Sequence, residues 1–175
     1  MTKITTFVVY RLKLYAKSMN IFVKATPSKK PRTEESQKII YFYVAVLVIL
    51  AVSQLFSFDK FLVLLESFAL PGGSTTAYFI GSLLVTSEVL ALPFLLRLEV
   101  SPLMRVTSMA LGWLVPMIWI FLSLWLKLTS STVSNIGFLG TVVHIIPGWW
   151  AVFISISILF LSIWASWGLW PGKRK

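Results

Sequence analysis

Four apolar stretches, each about as long as a bilayer core is thick, constrain this chain more than any other feature it has. A helix needs about 20 mostly apolar residues to cross the hydrocarbon region. The segments 39–58, 76–96, 103–126 and 149–170 meet that requirement. Only 13% of residues are charged, where a soluble domain carries about a quarter. The mean hydropathy is +0.85. So much apolar surface must face lipid or neighbouring helices. The expected fold is an all-α membrane protein: a four-transmembrane-helix bundle, with an N-terminal amphipathic helix and a short outer helix after the first span.

The distribution of Lys and Arg gives the direction of the spans. Of the sixteen basic residues, nine precede the first span, Arg97 and Arg105 lie between the second and third, and Lys173, Arg174 and Lys175 follow the fourth. The opposite side carries only Lys60 and Lys127. Positive-inside bias therefore places both termini in the cytoplasm, and the protein in the cytoplasmic (inner) membrane as a multi-pass protein. The net charge of +10 is explained by this topology, so no nucleic-acid partner is expected.

Three regions follow. Residues 1–37 form a basic cytoplasmic segment and linker, residues 38–170 the transmembrane domain, and residues 171–175 a basic cytoplasmic tail. The start does not read as a signal peptide, because no long apolar core lies near Met1. From Ile4 to Lys24 the apolar residues fall near one helical face and Lys13, Lys17, Asn20 and Lys24 on another. That pattern fits a helix lying on the anionic inner leaflet, or a tail held there by charge alone. Pro27 and Pro31 then interrupt helix continuity, and residues 26–37 read as a polar linker.

On the outer side, residues 59–68 suit a short surface helix ending in the turn Leu70-Pro71-Gly72-Gly73. The loop 129–148 contains an apolar stretch, 136–146, that is expected to fold back against the membrane. Trp125, Trp149 and Trp150 suit the outer interface, and Trp167 and Trp170 the inner one.

Lipid offers no hydrophobic drive for helix association, so small residues that permit close approach become the packing signal. Ser108, Gly112, Pro116 and Ser123 form one such stripe on the third span. Ala151, Ser155, Ser162 and Ser166 form another on the fourth. Both are expected to face the interior.

Glu88 sits near the middle of the second span. A charge there costs about 2.5–3.5 kcal/mol. The eleven Leu, Ile, Val and Phe residues from Phe79 to Leu96 contribute roughly 3–7 kcal/mol together. A residue that offsets so much of its span's insertion energy is expected to face inward, neutral and with a partner. Pro116 lacks an N–H, so the carbonyl of Gly112 loses its helical bond. Glu88 lies nine residues from Arg97 and Gly112 seven from Arg105, which puts them within about 3 Å in depth. Protonated Glu88 is therefore expected to donate into this region, with Gly112, Pro116 and Ser108 nearby. It serves either as interhelical glue or as a proton or ligand site.

Other chemistry is thin. There is no cysteine, hence no disulfide or thiol redox centre. A single histidine, His144, argues against a His-based metal site. Asp59 and Glu66 read as solvated, and no catalytic residue, metal ligand or cofactor is expected.

The order of these pieces resembles the MauE/DoxX group of small membrane proteins over residues 41–164. The first span is followed by Asp59-Lys60-Phe61 and a short outer helix. Leu70-Pro71-Gly72 comes next, then a span carrying Glu88 and ending in Leu95-Leu96-Arg97. MauE-like members often carry Cys-Gly-Cys-Phe-Gly between the last two spans. The corresponding stretch here is Ile136-Gly137-Phe138-Leu139-Gly140, which keeps the glycines and lacks both cysteines. The resemblance implies a role beside maturation of an exported protein, or, on the DoxX side, beside a quinone-linked oxidoreductase. Without thiols the chain cannot itself exchange disulfides. Two functions are expected to compete: a non-catalytic accessory or assembly subunit, and a small proton-coupled transporter or quinone-associated subunit using Glu88. Lipid, a protein partner or a second copy of the chain are the expected contacts.

Overall fold

A computed structural model describes residues 33–129, 133–167 and 169. These residues form five α-helices and no β-strand. We number them α1 (Glu34–Phe56), α2 (Phe58–Glu66), α3 (Gly73–Leu95), α4 (Pro102–Leu128) and α5 (Trp149–Trp167). Four are long and apolar enough to cross a membrane, which identifies a multi-pass membrane protein. The segment containing Lys13, Lys17 and Lys24, where the amphipathic helix was expected, lies outside the described residues, as do Trp170 and residues 171–175.

Local chemistry sets the helix ends. α1 begins five residues before the expected 39, inside the stretch read as linker. Thr33 caps it, its hydroxyl accepting from Ser36 N at 3.2 Å, and Glu34 and Glu35 occupy the first turn. Those carboxylates complement the positive end of the helix dipole. Ser101 caps α4 by accepting from Met104 N at 3.2 Å, with Pro102 in the first turn. The turn between α2 and α3 falls where Leu70-Pro71-Gly72-Gly73 placed it. Gly73 N donates to Leu70 O at 3.0 Å, and Gly72 has φ 96°, the left-handed conformation a type II turn demands at that position. α3 ends at a Schellman motif: Leu98 N donates to Pro93 O at 3.0 Å and Arg97 N to Phe94 O at 3.2 Å. Arg97 takes the left-handed position there, at φ 59°.

The long helices pack in a ring: α1 against α3 and α5, α3 against α4, and α4 against α5. α2 lies mainly on α3, where Gly81 permits close approach. A Cβ there would stand 2.7 Å from Leu62 and 2.9 Å from Leu65. Both small-residue stripes are buried as expected. The stripes also meet: the Ser123 and Ser155 hydroxyls are 3.1 Å apart, and Trp113 Nε1 donates to Ser166 Oγ at 2.9 Å. Large apolar side chains, among them Phe42, Val52, Phe79, Phe121, Phe153 and Phe160, cover the outside. A protein apolar both inside and out suits lipid as its solvent. Trp149, Trp150 and Trp167 are exposed.

The loop between α4 and α5, expected on the outer side and called the outer loop for that reason, folds down onto the helices. Asn135 organises it: Oδ1 accepts from Gly137 N and Ile145 N, both at 3.1 Å, and Nδ2 donates to Gly140 O at 3.1 Å. Ile136 and Phe138 are buried, and the Phe138 ring lies 4.5 Å from that of Trp119 on α4. Gly140 seats the loop on α1. It has φ 58°, and a Cβ there would come within 2.7 Å of Ser53 O. The Ser57 and Thr141 hydroxyls, 2.7 Å apart, close the contact.

Candidate functional site: a buried carboxyl under the outer loop

Glu88 projects from α3 into the space among α1, α4 and the outer loop, and none of it is exposed. Its Oε1 accepts from Gln54 Nε2 of α1 at 3.1 Å. The same Nε2 donates to the carbonyl of Phe138 at 3.2 Å. One carboxamide thus joins α1, α3 and the loop. The orientation of that amide is fixed by Phe138: a carbonyl can only accept, so the NH2 end must face it. The Trp119 indole N–H lies beside the carboxyl without aligning to either oxygen as a hydrogen bond. Glu88 Oε2 and Gln54 Oε1 are buried without a hydrogen-bond partner.

The remaining expected residues surround this point in a different arrangement. Pro116 does leave the Gly112 carbonyl without its helical donor, but Tyr43 of α1, fully buried, supplies the replacement through its hydroxyl. Glu88, expected as that donor, pairs with Gln54 instead. Gly112 packs instead against α3 at Ala91. A Cβ on Gly112 would lie 3.5 Å from that of Ala91, which is less than one helical turn from Glu88. Tyr43 reaches the carbonyl from α1, across the interior from α4.

Ser108 serves α3. Its hydroxyl donates to Leu90 O at 2.6 Å and accepts from Phe94 N at 3.0 Å, standing between two groups of the α3 ladder. Pro93, inside α3, cannot donate and disturbs the helix at this level. The carbonyl that Pro93 deprives of a donor is that of Val89, so Ser108 does not replace the missing bond; it ties α4 to the α3 backbone just beyond the proline.

His144, Asp59 and Glu66 are exposed. Among the described residues no group of three His, Cys, Asp or Glu could hold a metal ion. Gln54, Tyr43, Trp119 and the Phe138 carbonyl were not anticipated from sequence. Gln54 carried a visible signal, since it is a carboxamide inside the first apolar run.

The fold and this site define a class: a multi-pass helical membrane protein built around one buried, amide-paired carboxyl. Compared with known protein families, with characterised proteins and with solved structures, the chain matches none.

Proposed function

We propose that this is a non-catalytic accessory or assembly subunit for another membrane or exported protein. It is a four-helix bundle of the cytoplasmic membrane, MauE/DoxX-like in character, with both termini in the cytoplasm. The observation that carries the reading is the use made of Glu88. Its one hydrogen bond is spent inside the chain, on the carboxamide that also holds the outer loop. The carboxyl is wholly buried, and so is the Trp119 indole beside it. A solute or quinone site needs access, whereas a strut needs enclosure. What the strut fixes is an outer loop whose Val142, Val143 and Ile146 stay exposed, a surface suited to contact with another protein.

The competing reading, a proton-coupled transporter or quinone-associated oxidoreductase subunit, has one observation in its favour: Glu88 Oε2 has no partner. Purification of the tagged chain from native membranes in mild detergent, after cross-linking, separates the two. An accessory subunit brings down a stoichiometric partner of different sequence, and that contact weakens when Val143 and Ile146 are replaced by Ser. Recovery of the chain alone, together with proton uptake by vesicles containing only this protein, would reverse the assignment.

A further inference from the structure

Hydrogen atoms around Glu88 can be counted. Four oxygens need donors: both carboxyl oxygens, Gln54 Oε1 and the Phe138 carbonyl. The protein supplies three hydrogens, two on Gln54 Nε2 and one on Trp119 Nε1. Both amide hydrogens are committed, one to Glu88 Oε1 and one to Phe138 O. The indole hydrogen can serve only one of the remaining pair. With Glu88 ionised, one oxygen is left bare in a dry interior beside an unpaired negative charge. No cation compensates: among the described buried residues the only other ionisable side chain is Tyr43, on α1, whose hydroxyl is used by Gly112. From α4 the carboxyl meets the neutral Trp119, and from α1 the neutral Gln54 that also bonds the loop carbonyl.

We propose that Glu88 is a proton-binding site. The carboxyl holds a proton on Oε2 and donates it to Gln54 Oε1, while Oε1 accepts from Gln54 Nε2. The result is a reciprocal acid–amide pair in which three hydrogens, one on the acid and two on the amide, serve the three acceptors Gln54 Oε1, Glu88 Oε1 and Phe138 O. The bound proton fastens the outer loop, because it holds Gln54 in the orientation that reaches Phe138. Loss of that proton turns Oε2 and Gln54 Oε1 into two facing acceptors, swings the amide and frees the loop. This inference rests on the strut and not on the accessory role, so it stands or falls whether or not a partner is found.

Infrared spectroscopy of the purified protein, with the carboxyl carbons of all glutamates labelled with 13C, reads the proton directly. Glu34, Glu35, Glu66 and Glu99 are exposed, so a neutral carboxylic-acid C=O band at pH 7 belongs to Glu88. The expected result is such a band in the wild type, its absence in Glu88→Gln, and its disappearance on alkaline titration together with the onset of protease cleavage in the outer loop. Glu88→Gln preserves a donor and an acceptor at the same positions. It is expected to keep the loop protected and to shift the thermal midpoint by less than about 4 °C, whereas Glu88→Ala lowers it further and exposes the loop. A carboxylate band at neutral pH, with water or an ion completing the site, would overturn the proposal. So would a Glu88→Gln chain whose loop is as exposed as that of Glu88→Ala. If Glu88→Gln fails to accumulate, the wild-type spectrum still decides.

Discussion

Tyr43 and Pro116 form a coupled pair that can be tested one atom at a time. The proline withholds a hydrogen bond from Gly112 O and the phenol restores it. Tyr43→Phe is expected to lower stability by about 0.6–1.7 kcal/mol, the range for such bonds between membrane helices. In a Pro116→Ala background the backbone N–H returns, and the cost of Tyr43→Phe is expected to shrink toward zero. A double-mutant cycle on thermal midpoints in detergent measures this, and additive effects would contradict the pairing. Sequence revealed half of this local chemistry. Glu88 stood out because a carboxyl in an apolar span is energetically conspicuous, and Pro116 pointed to an orphaned carbonyl. The pairings did not stand out. Tyr43 is common enough in apolar runs, Gln54 was visible as a carboxamide but its target was not, and which helix faces which at a given depth is decided by packing that no periodicity encodes.

At the scale of elements, the closest seat of the outer loop on α1 is Gly140. Gly140 combines a left-handed backbone with a 2.7 Å clearance to Ser53 O, so Gly140→Val meets both strain and collision. The expected outcome is an unseated loop in an otherwise folded protein: rapid protease cleavage within 133–147 with little change in helical circular dichroism. Protection equal to wild type would show that the loop is held elsewhere. The helices themselves were legible, because length and hydropathy are summed over about 20 residues and tolerate local irregularity. Their ends moved by a few residues wherever a cap, such as Thr33, extended a helix beyond its apolar part. The apolar stretch 136–146 signalled that the loop returns toward the membrane. Nothing in it signalled Asn135 as the organiser, since an asparagine in a loop usually meets water.

For the whole molecule, the basic residues assign a direction that a cysteine-free chain makes easy to verify. Single cysteines at His144 and Glu99, both exposed, sit at opposite ends of the ring of helices. His144→Cys is expected to react with an impermeant maleimide in intact cells, and Glu99→Cys only after permeabilisation. The reverse pattern would invert the topology. One detail also bears on how the molecule is made. Ser108 bonds to the α3 backbone from α4, and only residues 96–101 separate those helices. This bond thus joins neighbours in sequence as well as in space, and it can form as soon as both helices have left the ribosome. The acid at the centre of α3 is a cost to that helix's insertion. Its amide partner, Gln54, lies on α1 and has been synthesised before it.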